Sequence, residues 1–81
     1  MELLHQHKIN SAKLEGEYLI LDVDGQEQKW NINQISVILS NASESDRDNF
    51  KISPSGYGIH WPNLDEDLSL RGLLNLKNKN L

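Results

Sequence analysis

The stretch Tyr18-Leu19-Ile20-Leu21-Asp22-Val23-Asp24-Gly25-Gln26-Glu27-Gln28-Lys29-Trp30-Asn31-Ile32 decides the fold class. Successive side chains of a strand point to opposite faces, so Leu19, Leu21 and Val23 share one side, the period-2 pattern of a half-buried strand. Asp24-Gly25 follows with two residues that tolerate positive φ, which a two-residue hairpin turn demands. The return strand, Glu27 to Ile32, carries Trp30 and Ile32 two apart. In the two-residue register Val23 faces Gln26, Leu21 faces Gln28 and Leu19 faces Trp30, and the large apolar groups gather on one face. Upstream, Lys8 to Leu14 reads as a further strand anchored by Ile9, with Glu15-Gly16 turning it into the hairpin.

Working outward toward the C-terminus, Asn33 is positioned to cap a helix in which Ile35, Ile38, Leu39 and Ala42 form one narrow apolar stripe. Ser43-Glu44-Ser45-Asp46 sets a hydroxyl and a carboxylate three apart, the start of another short turn with Arg47 and Asp48 on its wet side. Phe50 and Ile52 alternate as a strand. Pro54-Ser55-Gly56 has turn chemistry, and Gly58-Ile59-His60-Trp61 pairs back until Pro62, which cannot donate to a ladder. Ser69 caps a last helix with Leu70, Leu73 and Leu74 on one face, and the polar stretch from Asn75 to Leu81 is expected to fray.

The expected fold is α+β: a small two-layer domain of antiparallel β-hairpins packed against two or three short helices. Its core is expected within about residues 9–74, from Leu19, Leu21, Trp30, Ile32, Ile38, Leu39, Ile59, Trp61, Leu73 and Leu74. The 81 residues suffice for one domain. A chain this short buries only about 60–65% of the surface its unfolded form exposes, so stability is expected to be modest.

Composition narrows the function classes. The sequence has no cysteine, which excludes a disulfide framework, a thiolate metal site and a cysteine nucleophile, and suits a reducing cytoplasm. It has no apolar run approaching the roughly 20 residues of a membrane helix, and its start, Met1 to Lys8, lacks the layout of a secretory signal. A net charge of −4 makes direct nucleic-acid binding an unfavoured expectation, since phosphate affinity needs clustered Lys and Arg. Positive charge gathers only at Arg71, Lys77 and Lys79, and the lysines suit the negative end of the last helix. An acidic surface instead fits a basic protein partner.

The order of residues resembles a prokaryotic family catalogued as domain of unknown function 2442. The matching features are the Asp24-Gly25 turn with Trp30 and Ile32, then Leu39 and Ala42 before Arg47, then Ile52, and finally Gly58-Ile59-His60-Trp61-Pro62-Asn63-Leu64-Asp65-Glu66-Asp67-Leu68-Ser69 with Leu73-Leu74. The resemblance implies a compact α+β fold and no established catalytic residues. It also implies a role in protein interaction, because some members look like the antitoxin half of type II toxin–antitoxin pairs, encoded beside a small basic toxin. Other members are fused to a helix-turn-helix domain, for which this chain has no room. The favoured function is therefore an antitoxin. The alternatives are a stand-alone adaptor or regulatory domain, or a small metal- or ligand-binding enzyme. A homodimer is left open.

The enzyme alternative rests on His60 with the Asp65-Glu66-Asp67 run, imidazole and carboxylates of the kinds that bind divalent metals. Consecutive side chains fan apart, so the run reads instead as a solvated loop favouring the N-terminus of the following helix. No metal and no other cofactor is expected. His5 and His7 read as solvent-exposed groups in a mobile terminus. Ser53, Ser55 and Ser69 lack the glycine-flanked elbow of a nucleophile, and Gly56-Tyr57-Gly58 lacks the helix and lysine of a phosphate loop. Trp30 and Trp61 read as core anchors. For a protein partner, the charged contact is assigned to Asp65, Glu66 and Asp67, with Tyr57 as aromatic anchor and the tail as a second contact.

Overall fold

The computed structural model describes residues 7–78. Strands β1 (Ile9–Glu15), β2 (Tyr18–Val23) and β3 (Gln26–Asn31) form an antiparallel sheet in that order. The hairpin register is the expected one: Val23 pairs with Gln26, Leu21 with Gln28 and Leu19 with Trp30. Asp24 and Gly25 both have positive φ, 56° and 92°, as a type I′ turn requires. Leu19, Leu21 and Val23 are buried on the inner face. Ile20, on the opposite face, is also buried, with Lys13 and Lys29 as its cross-strand neighbours.

Two one-turn helices follow, α1 (Ile32–Ile35) and α2 (Val37–Ser40), where the apolar spacing suggests one. Ser36 interrupts them in an extended conformation (φ −160°, ψ 113°). Its hydroxyl accepts from the Leu39 N–H at 3.0 Å, capping α2, and donates to Glu66 Oε2 at 2.6 Å. The break rotates the apolar stripe. Ile32 and Leu39 are buried, whereas Ile38, expected in the core, is 45% exposed. The cap of α1 is Asn31 rather than Asn33, and its side chain accepts from the Asn33 N–H.

Helix α3 (Glu44–Asp48) begins at the expected hydroxyl, with the Asp46 N–H donating to Ser43 Oγ. Arg47 does not lie on its wet side. The guanidinium turns inward, with Nε donating to the Leu39 carbonyl at 2.8 Å and Nη2 to the Ser40 carbonyl at 3.0 Å, and Glu17 lies 3.5 Å away. Those carbonyls close α2, where the guanidinium adds charged donors; the Leu39 carbonyl also accepts from the Ala42 N–H at 3.2 Å. The attraction to them outweighs solvation of the arginine, whose side chain is only 11% exposed.

The second sheet consists of β4 (Lys51–Ile52), β5 (Gly58–Trp61) and β6 (Glu66–Ser69), again antiparallel and in chain order. Only the first two strands were expected; the acidic segment is a strand rather than a solvated loop. Glu66 pairs with Trp61, Asp67 with His60 and Leu68 with Ile59, after a turn in which Asp65 takes a positive φ of 52°. A three-stranded sheet satisfies backbone groups that an isolated hairpin would leave to water.

Helix α4 (Leu70–Asn78) starts with the Gly72 N–H donating to Ser69 Oγ, as expected of a serine cap. It continues past Asn75, where fraying was expected; residues 79–81 of that tail lie outside the described residues. The Trp30 indole N–H donates to the Leu73 carbonyl, and Lys77 Nζ lies 4.6 Å from the Trp30 ring centroid. These contacts hold the final turns by a hydrogen bond and a cation–π interaction.

Both sheets feed one core. Ile9, Leu19, Trp30 and Ile32 cluster with Ile59, Trp61, Leu70 and Leu73, while Leu74 packs half-buried against them. Backbone bonds also join the sheets, with the Ile9 N–H donating to the Gly56 carbonyl at 2.8 Å. Gly56 has a φ of +79°, and a Cβ there would sit 2.6 Å from Lys8 Cγ, so the junction needs glycine.

Candidate functional site

The side chains singled out by sequence converge on the second sheet, and its alternation sorts them. In β5, Ile59 and Trp61 point into the core, which leaves His60 on the outer face. Lys51 of β4 and Asp67 of β6 pair directly with it, giving a Lys51–His60–Asp67 row across three strands. His60 Nδ1 lies 2.7 Å from Asp67 Oδ1, with both side chains open to water, at 43% and 75% exposure. Around them is a shallow concavity of about 460 Å³, bordered by Ser53, Pro54 and Leu68.

The three consecutive carboxylates go to three environments. Asp65 sits exposed in the turn. Glu66 turns back toward the helices, where Oε2 accepts from Ser36 Oγ and Oε1 accepts from the Asp67 N–H at 3.2 Å. Asp67 faces His60. Glu66 is thus a strut between β6 and the start of α2, and Asp65 and Asp67 are the more accessible members of the run. Tyr57, 48% exposed, precedes β5, and its carbonyl accepts from the Leu70 N–H. Asp65 lies at the other end of the β5–β6 hairpin, five residues along from the partner of Tyr57, about 17 Å at the usual strand rise. Asp67 falls between them.

Serine chemistry is directed inward to the backbone. Ser53 Oγ accepts from the N–H groups of Tyr57 and Gly58 at 3.1 and 3.2 Å, and Ser69 Oγ accepts from Gly72. Ser55 Oγ lies 3.4 Å from Ser53 Oγ. The Ser53 and Ser69 hydroxyls thus cap a turn and a helix start, the usual work of serine at such positions. Among the described residues no three His, Asp or Glu side chains are placed to hold one metal ion. His7 has a partner that the sequence did not disclose, Asp24 Oδ2 at 2.6 Å. His5 lies outside the described residues. Trp30 and Trp61 are buried, and the Trp61 indole N–H donates to the Arg47 carbonyl at 2.8 Å. Among the described residues no helix is long and apolar enough to cross a membrane.

Ser36 and Arg47 are structural residues whose roles were missed in the sequence. The partners of each are brought in by other segments or by carbonyls, which leave no residue-type signature.

Comparison with known proteins agrees with the residue pattern. The family model described as "Protein of unknown function (DUF2442)" matches residues 9–79, and the chain belongs to that family. Among solved structures, the chain is similar to a crystal structure of a protein of unknown function from Rhodospirillum rubrum ATCC 11170. The two share 28% identity over 88% of each chain, with a TM-score of 0.76. No curated protein gives a significant match.

Proposed function

We propose that this chain is a protein-interaction module that acts as the antitoxin of a toxin–antitoxin pair, binding a small basic partner through the β5–β6 surface. The observation that carries this reading is the exposure of Asp67 in the lining of an open, shallow concavity, with Tyr57 and Asp65 exposed at the two ends of the same hairpin. An open face of this shape suits a protein better than a small molecule, which favours an enclosed pocket. The chain's net charge of −4 supports electrostatic steering of a basic partner, and an exposed tyrosine is a good anchor for an interface. In this reading Asp65 and Asp67 supply the charged contact, with Glu66 holding the strand that presents them.

Co-expression with the product of the adjoining gene tests the proposal. The expected result is relief of growth arrest caused by that product and co-purification of the two chains, both reduced when Asp65 and Asp67 become lysine. An adjoining product that is harmless, or one whose toxicity is unaltered by this chain, would count against the antitoxin role. Binding that survives the charge reversal would move the contact to another surface.

A further inference from the structure

We infer that β3 is a self-pairing edge, through which two copies of this chain join their first sheets into one six-stranded antiparallel sheet. The inference is independent of the antitoxin reading, which concerns the other sheet.

Among the described residues four strands have an edge without a neighbouring strand, and three of these are short or obstructed. The β1 ladder is irregular between Ile9 and Ser11, the Ile9 N–H donates to the Gly56 carbonyl of the β4–β5 loop, and β1 packs against α3 and β4. Strand β4 has two residues. In β6 the Leu70-to-Tyr57 hydrogen bond fixes the alternation so that the Asp67 N–H points to the free side, where Glu66 Oε1 takes it. Such devices are how proteins blunt sheet edges.

Strand β3 has six residues, no proline, and no strand beyond it among the described residues. The Ile32 N–H donates to the Glu17 carbonyl, and the Val23–Gln26 pair closes the two-residue turn. Alternation from these points directs the peptide groups of Glu27 and Lys29 away from β2, to the open edge. Both residues are exposed.

Their side chains specify which strand fits there. If a second β3 approaches antiparallel with a two-fold axis at Gln28, Glu27 of each copy stands opposite Lys29 of the other. Those residues also form the outward-facing hydrogen-bonded pairs. Moving the axis to the next register of the same parity opposes Lys29 to Lys29 or Glu27 to Glu27, and directly opposed like charges are destabilising. The edge is therefore charge-complementary to itself in one register, as an isologous interface must be. Lys29, a residue type that otherwise protects edges, has its ammonium 5.1 Å from the centroid of the Tyr18 ring on the sheet's outer face.

Sedimentation equilibrium of the full chain from about 1 μM to about 1 mM tests the inference. The expected result is a reversible dimer in this range. Glu27→Lys or Lys29→Glu alone should raise its Kd roughly tenfold or more, because each turns two attractive pairs into repulsive ones. The double exchange, Glu27→Lys with Lys29→Glu, should restore the original Kd, with circular dichroism unchanged throughout. A chain that stays monomeric across the range overturns the inference. So does a dimer indifferent to the single substitutions, or a double exchange no better than either one alone.

Discussion

Arg47 holds two carbonyls at the end of α2 with one planar guanidinium, while its own carbonyl accepts from Trp61. Lysine has a single compact ammonium and cannot reproduce that fork. Arg47→Lys is therefore expected to lose about 1–3 kcal/mol in urea unfolding, because at least one of these part-buried, charge-assisted hydrogen bonds is lost. Asp65 tests backbone geometry. Its φ of 52° suits glycine and asparagine, and is hostile to branched side chains. Asp65→Gly should keep or raise the melting temperature, while Asp65→Val should destabilise by roughly 1–2 kcal/mol, the penalty of the left-handed region. If Asp65 serves a partner, the glycine variant will fold well and bind poorly. That separation distinguishes a structural turn residue from a contact residue.

At the scale of elements, the first hairpin was legible because its signals are local: alternation in Tyr18–Val23, Asp24-Gly25 at the turn, and Trp30 in phase with Leu19. The start of α4 at Ser69 was equally local. The α1–α2 break was not, because Ser36 acquires its second partner from Glu66, 30 residues away. Strand β6 was hidden for a related reason. Glu66-Asp67-Leu68-Ser69 has little intrinsic strand preference, and it becomes a strand by pairing with β5. The candidate site was legible in composition, since Tyr57 and the carboxylate run do lie on one hairpin, but the division of labour among the carboxylates depends on tertiary partners. Ser36→Ala removes both the α2 cap and the bond to Glu66. It should cost roughly 1–2 kcal/mol by chemical denaturation, and Glu66→Gln, which can still accept, should cost less.

At the scale of the molecule, the two sheets share one core, so the chain should unfold as a unit. Trp61 is fully buried in the second sheet and belongs to the same cluster as Leu19 and Trp30 of the first. Trp61→Ala should cost about 3–5 kcal/mol and lower the melting temperature of both sheets together, as followed by amide exchange. A first sheet that kept its protection would indicate two separate folding units. The two proposed associations would use distinct faces: the β3 edge for a second copy, and the β5–β6 hairpin for a different protein. Hydrogen–deuterium exchange of the chain, alone and mixed with the adjoining gene's product, tests the central claim most directly. The account predicts new protection concentrated between Tyr57 and Ser69, absent in the Asp65→Lys, Asp67→Lys variant. Unchanged exchange throughout the chain at saturating partner would contradict it.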